Sequence, residues 1–465
     1  MAFDNVVSIL SEGVSYYLSG STKTNYTGTG TPWTAETTTP YRLSLNDGSP
    51  IWVPQPSPAR LVMSGGILVD QSYDTIVESV GVQMYANSAD NAIALLRQLR
   101  QVLNTALWSL PPLLVIQGGT NTAYYEIYGA DVVETASYIT EGSATNIVIR
   151  ATITWTRAAH GGVASLTTLQ SGITVTNSGT GANNNTRALG ALTGDLIYDG
   201  MPLNIKFAPA SAGSRYRFTF ATVYQRTYVT AISGSDTTSS TTGVPAWTDT
   251  TAALTNPART RNGLRLKVLL RCTSISAKAR VRLTITNGAG TSTFWEGPWV
   301  ASPGSTGVCQ IDITPQGVAL DFVRRAMFES GDLSFILYIK STDGTSITVN
   351  THSVEYLLAY TFCRLSSGSI AISTSNSSFV AIEQAQNLNG TAYVPCIGTA
   401  QAGIDTAGTD FPYTPISKYG TLPRAISGAS LYFSWTDTNG DHANTDTATV
   451  TTQLLPLYQT LRGGS

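Results

Sequence analysis

The sequence predicts a mainly β protein: a small antiparallel β-sandwich carrying one α-helix, followed by a β-sandwich with an inserted jelly-roll-like domain. Three observations predict it. Charged residues make up only 12% of the chain, about half of the roughly 25% usual in soluble domains, and Thr, Ser, Gly and Asn fill the gap. Apolar and polar residues alternate over much of the length, the period-2 signature of strands with one buried face. A single stretch, SADNAIALLRQLRQVLNTAL (Ser88 to Leu107), has the three- and four-residue apolar spacing of an amphipathic helix.

At 465 residues the chain is too long for one ordinary core, so several domains are expected. Residues 1–61 read as an N-terminal arm with short strands, Val6–Leu10 and Tyr41–Leu45, stiffened by the PQPSP run from Pro54 to Pro58. Residues 62–158 read as one unit. Leu61–Met63 and Gly66–Val69 are apolar, and Ile76, Val80, Val82 and Met84 nearly alternate. In the helix, Ser88 or Asp90 can cap the first free N–H groups. Ala92, Ile93, Leu95, Leu96, Leu99, Val102, Leu103 and Ala106 form its apolar face, while Arg97 and Arg100 point outward as candidate subunit contacts. Pro111-Pro112 blocks continuation. Strands Leu113–Gln117, Ala123–Tyr128 and Thr145–Trp155 follow, the last placing Ile147, Ile149, Ala151, Ile153 and Trp155 on one face.

Residues 159–190, with HGG and NSGTGANNNT, read as a linker. From Leu196 the pattern is all β. Leu203–Ala208, Tyr216–Tyr228, Ile370–Ile382, Leu431–Trp435 and Ala448–Leu455 read as strands of a C-terminal sandwich made of 191–235 with 366–465. The polar run SGSDTTSSTTG reads as a flexible interruption. Residues 236–365 would be the inserted jelly-roll-like domain, with three consecutive domains as the competing arrangement.

The composition excludes several function classes. A net charge of −2 and a pI near 6.0 argue against bulk polyanion binding. The N-terminus lacks a basic region and carries Asp4 and Glu12, so no secretory signal is expected. No run of about 18 apolar residues indicates a membrane span. The three histidines, His160, His352 and His442, lack metal-ligand spacing. Phosphate-loop, dinucleotide and G-x-S-x-G signatures are missing. No catalytic residue, cofactor or metal is expected, and the chain reads as a non-enzyme. Cys272, Cys309, Cys363 and Cys396 form no C-x-x-C pair and read as buried thiols, with disulfides open.

Residues 259–282 (RTRNGLRLKVLLRCTSISAKARVR) are basic without any Asp or Glu. A hairpin turning near 272–277 would put Arg265, Lys267 and Arg271 on one face with Lys278, Arg280 and Arg282. That face reads either as an anion or partner surface or as a solvated sheet face balanced by acids elsewhere. Like charges side by side cost stability unless compensated. No nucleic-acid recognition motif accompanies it. Trp247, Trp295 and Trp299 are candidates for glycan stacking, or for burial between sheets.

The pieces SGGILVDQSYDTIVESVGVQMYA, the helix, LLVIQGG and TNIVIRATITW resemble the tail-tube-like domain of long-tailed phages, found in tail tube and distal tail proteins. ALTGDLIYDGMPLNIKF and DTATVTTQLLPLYQTLRGGS resemble the start and finish of the C-terminal sandwich of such tail proteins. The resemblance implies a structural virion protein at the tail tip, a distal tail or baseplate ring. Six copies would join through 62–158 and link the tail tube protein to hub or fibre proteins. It implies synthesis in the host cytoplasm and an inserted domain similar to carbohydrate-binding sandwiches that contact host-surface glycan. A tail tube protein with external decoration domains and a receptor- or carbohydrate-binding tail protein are the other readings, with a tail-associated glycan hydrolase a distant third.

Overall fold

The computed structural model describes residues 6–18, 22–29, 38–44, 56–57, 72–73, 75–104, 112–118, 121–140, 147–177, 185–194, 200–210, 215–251, 265–273, 277–286, 290–296, 299–301, 308–313, 332–341, 344, 346–367, 372, 379–388, 390–396, 401–405, 414–415, 417–436 and 447–458. Among the described residues it is mainly β, with several antiparallel sheets and one helix.

The first unit contains β1 (Val6–Ser11), β2 (Val14–Tyr17), β3 (Tyr41–Ser44), β4 (Ile76–Ala86), α1 (Ala89–Asn104), β5 (Leu113–Gly118), β6 (Asn121–Thr140) and β7 (Ile147–Arg157). Its seven strands form one sheet in the order β2-β1-β5-β6-β7-β4-β3. The long β6 pairs with β5 over Asn121–Glu126 and with β7 from Ile127 to Thr140, with a register shift between Ile127 and Gly129. Such an irregularity bends a strand, and here the sheet curls round the helix. Leu95, Leu99 and Leu103 of α1 pack on Val82, Met84, Ile149 and Ile153, and the same core reaches Ile9 and Ile116.

Ser88 is the cap: its Oγ accepts the Asn91 N–H at 3.2 Å. The helix ends at Asn104, and residues 105–107 lie outside the described residues. So do the apolar pieces at 61–63 and 66–69. The arm is no separate element, because β1, β2 and β3 are strands of this sheet. Val7 and Ile9 face its core, and the Tyr41 hydroxyl donates to Leu95 O at 3.0 Å. Partners this distant in sequence leave no local signature. The β1–β2 turn is built on Glu12 and Gly13, both at positive φ, as a two-residue hairpin loop requires.

The second unit contains β8 (Thr167–Thr176), β9 (Thr186–Ala188), β10 (Leu203–Pro209), β11 (Arg217–Thr238), β12 (Val244–Thr251), β13 (Arg265–Thr273), β14 (Ala277–Thr286), β15 (Ser292–Glu296), β16 (Val308–Ile313), β17 (Asp332–Ser341), β18 (Ile347–Ser366), β19 (Phe379–Glu383), β20 (Ala385–Leu388), β21 (Ala392–Pro395), β22 (Gln401–Asp405), β23 (Ser430–Thr436) and β24 (Thr447–Leu454). One sheet runs β8-β24-β10-β19-β22 and a second β9-β23-β11-β18-β13-β16. Their shared core stacks Phe207, Phe218, Phe220, Phe433 and Trp435, with ring centres 5.0–6.2 Å apart.

The expected linker therefore carries β8 and β9. β8 is an edge strand rich in Thr, Gln and Ser, and of its side chains only Val175 is buried, so its composition reads as loop. The expected interruption is also strand as far as Thr238, because β11 pairs with β18 from Arg217↔Ser366 to Thr238↔Ile347. At the other end, within the strand expected over Ile370–Ile382 the described residues are Ile372, in an isolated bridge to Arg215, and the strand Phe379–Glu383.

A third sheet, β12-β17-β14-β15, lies in the stretch between β11 and β18. The two long strands serve both regions: Arg217–Val223 of β11 pairs with β23, whereas β18 pairs with β13 over Ser353–Ala359 and onward to His352.

The two units meet at His160-Gly161-Gly162. Gly162 exchanges N–H···O bonds with Tyr124 of β6 at 2.8 and 3.1 Å, Gly161 with Tyr458 at 2.8 and 3.0 Å, and Val163 with Tyr393 of β21 at 3.1 and 2.7 Å. The β20–β21 hairpin lays Leu388, Ala392 and Val394 on Leu10, Leu113 and Val115, on the sheet face away from α1. What reads as a flexible spacer is a hydrogen-bonded three-way joint.

Candidate functional site

The basic segment does not form a hairpin. β13 pairs with β18 and β16, whereas β14 pairs with β17 and β15 in a different sheet. Arg265, Lys267 and Arg271 thus stand on one sheet, opposite Ala359, Leu357 and Ser353, and Lys278, Arg280 and Arg282 on another. The single six-cation face is a misreading whose cause is non-local pairing: β13 takes its neighbours, β18 and β16, from farther along the chain and does not pair with the adjacent β14. The side chains of Arg265, Lys267, Arg271, Lys278 and Arg280 lie outside the described residues.

Arg282 is described, and it is paired. Its Nε donates to Glu296 Oε1 at 2.7 Å, and its Nη2 reaches the same oxygen. Its guanidinium lies 4.9 Å from the Phe294 ring centre and 5.1 Å from that of Tyr338. Glu296 comes from directly opposite on β15, at a position composition alone does not single out. Phe294 is 61% exposed. Farther along the same sheet, Lys340 Nζ sits 4.6 Å from the Trp299 ring centre. The other edge of that indole lies over Gly243, where a Cβ would come within 2.5 Å.

These contacts leave a mixed aromatic and charged strip whose rings already carry cations. Trp247 and Trp295 occupy β12 and β15, the two margins of the sheet, opposite Leu337 and Leu283, and their side chains lie outside the described residues. Arg97 and Arg100 are both exposed on α1, and Arg100 also ties the helix to β6, its Nε and Nη2 donating to Val132 O at 3.2 and 3.0 Å.

Two polar clusters of the first unit escaped the sequence reading. In one, Arg157 Nε and Nη2 donate to the two Glu78 oxygens at 2.8 and 2.7 Å, and Nη1 donates to Ala158 O at 2.9 Å. Trp155 Nε1 also donates to Glu78, at 3.0 Å, and the guanidinium stacks 4.4 Å from the Tyr125 ring centre. Both charges are buried. The signal is present in the alternation: Glu78 falls among Ile76, Val80 and Val82, and Arg157 continues the face of Ile153 and Trp155.

The other cluster lies at the joint. Glu126 is 2% exposed. Its Oε2 accepts from the Tyr128 hydroxyl at 3.3 Å, and its Oε1 has no hydrogen-bond partner among the described residues. Burial pushes its carboxyl up to about 7. Across the joint Cys396 is pushed up to about 11, first by burial, then by Glu383 and Glu126. Neither Cys363 nor Cys396 is in a disulfide. Cys272 and Cys309 stand opposite each other on β13 and β16.

Among the described residues no group of three His, Cys, Asp or Glu is placed to hold a metal ion, and no helix is long and apolar enough to cross a membrane.

No family model and no curated protein matches the chain. Among solved structures, that of infectious bursal disease virus Gt strain aligns over 83% of this chain and 82% of its own, at 7% identity and a TM-score of 0.18. A presumed secreted protein from Parabacteroides distasonis aligns over 52% and 91%, at 8% identity and a TM-score of 0.16. Likenesses this weak carry no argument about fold or function.

Proposed function

We propose that the protein is a structural virion protein that assembles with copies of itself through the first unit, as a ring at a phage tail tip, and carries the other sandwiches outward. The observation that supports this reading most is the state of the curled sheet's two margins. β2 pairs only with β1 among the described strands, and it opens on Val14, 38% exposed. At the opposite margin β3 covers only Gly81–Met84 of β4, which leaves Ile76–Val80 without a second described strand and Val77 63% exposed. Open margins accept a further strand. Unlike margins pairing head to tail generate a ring when the rotation closes.

The outer regions fit coat-like modules. The strand order β8-β24-β10-β19 with β9-β23-β11-β18 nests first beside last and second beside next-to-last, and β11-β18-β13-β16 with β12-β17-β14-β15 repeats the scheme. That nesting supports a jelly-roll reading, an arrangement recurrent in viral capsid and lectin domains. On this reading the insertion interrupts one jelly roll between its fourth and fifth strands. The strip around Phe294 and Arg282 is then the surface offered to host glycan or to a hub or fibre protein.

Negative-stain imaging and light scattering of the purified protein test the assembly. A closed ring with a central hole is expected, and Val14→Lys with Val77→Lys should return it to monomers without lowering the Tm. A monomer or compact trimer of the unmodified chain rules the ring out.

A further inference from the structure

We infer that Glu126 is a proton-operated latch on the joint between the two units: uncharged, it is held against the β20–β21 hairpin, and once ionised it weakens that seat. The position is set by strand alternation. Ala123 faces the helix side with Tyr125 and Ile127, so Tyr124, Glu126 and Tyr128 share the other face of β6. Tyr124 packs with the hairpin residues Leu388, Ala392 and Val394. Glu126 follows it into the same seam, and its backbone O accepts the Ala158 N–H at 2.9 Å just before the joint glycines.

The surroundings suit an acid and not its anion. The groups electrostatically tied to Glu126 are Tyr128 on its own strand and Cys396 just past β21, with Glu383 beside Cys396. All are neutral or negative, so among the described residues none of these compensates a carboxylate. The nearby cation Arg157 is committed to Glu78 and Ala158 O, on the face that carries Tyr125. A carboxyl oxygen buried without a partner is tolerated far better neutral than charged.

Proton linkage gives the direction. Glu126 titrates near 7 when the joint is closed and near its ordinary 4.5 when exposed. The closed joint therefore binds the proton more tightly, and its advantage is complete below pH 4.5. It is lost as pH rises toward 7 and is level above that. Opening should increase about tenfold per pH unit within this window, or about fortyfold between pH 5 and 7. The latch is independent of whether the chain forms a ring.

Labelling of Cys396, read by peptide mass spectrometry on the full chain, measures opening. The ratio of wild-type to Glu126→Gln labelling at each pH cancels the intrinsic reactivity of the exposed thiol. It should climb about fortyfold from pH 5 to 7 and then flatten. His160→Gln, which removes the histidine beside the joint glycines, should leave that climb in place. A flat ratio overturns the latch, as does a climb abolished by His160→Gln. Should Glu126→Gln fail to fold, amide exchange of wild type decides: β21 corrected for intrinsic rate must lose protection relative to β10 over the same window, and constant relative protection overturns it.

Discussion

Gly162→Ala is expected to unseat the joint and lower the stability of the whole chain by about 3 kcal/mol or more. A Cβ at this position would run into Tyr393 O. The obstacle is a main-chain carbonyl, not the end of a flexible side chain, so no rotamer change relieves it. Either Gly162 or Tyr393 must move, and the bonds Gly162–Tyr124 and Val163–Tyr393 stretch with them. The burial of Leu388, Ala392 and Val394 against the first unit depends on the same docking. Gly129→Ala serves as the control, because a Cβ there meets nothing within 4 Å. Chemical denaturation should separate the two variants, and amide exchange should rise at Tyr124, Val163 and Tyr393 in Gly162→Ala alone. Equal stability of the two variants would refute the account of the joint.

Arg157→Met should cost about 3–5 kcal/mol, more than any surface charge change, because it strands the Glu78 carboxylate in the core. Glu78 would keep the Trp155 Nε1–H but lose both bonds that come from Arg157. Its folded-state affinity for a proton would then rise above that in the unfolded chain. The variant should accordingly regain part of its stability in acid and lose it as pH rises, the opposite of ordinary acid denaturation. Adding Glu78→Gln removes the stranded charge while keeping an acceptor for Trp155. The double variant should be more stable at neutral pH than Arg157→Met alone. Denaturation midpoints at about pH 5 and 8 read both effects, and a double variant weaker than the single one would show that the pair is not the source of the loss.

Legibility in the sequence tracked the range of the interaction. The helix was readable because its apolar stripe, Leu95, Leu99 and Leu103, lies within a few turns of itself, and its cap, Ser88, is adjacent. β7 was readable because both its neighbours are strands, so alternate residues from Ile149 to Trp155 are buried. β8 was not, because an edge strand buries little of its surface and its Thr and Gln residues resemble a loop. Arg100 is exposed as its place on the helical wheel predicts, but a wheel does not show that Val132 O lies beside it.

The candidate site was legible only as composition. The basic run predicted a charged surface, yet the pairing of β13 with β18 and of β14 with β17 divides it between sheets, and Glu296 neutralises Arg282 from a strand whose acid looked unremarkable. Glu126, one acid on the strand face that Tyr124 shares, is buried at a joint formed by segments far apart in the chain, and nothing in its neighbours' spacing marks it.

The sequence by itself determined the mainly β character, the one helix and its buried face, and the presence of strands on both sides of an intervening region. Those properties follow from local periodicity, which the backbone imposes on side-chain direction wherever a strand or helix forms. Only the tertiary structure decided that the N-terminal strands complete the first sheet, that the glycine pair is a hydrogen-bonded joint, and which charges are buried and which are paired. Each of these depends on hydrogen bonds and desolvation between segments far apart in the chain, and neither leaves a trace in the spacing of neighbouring residues.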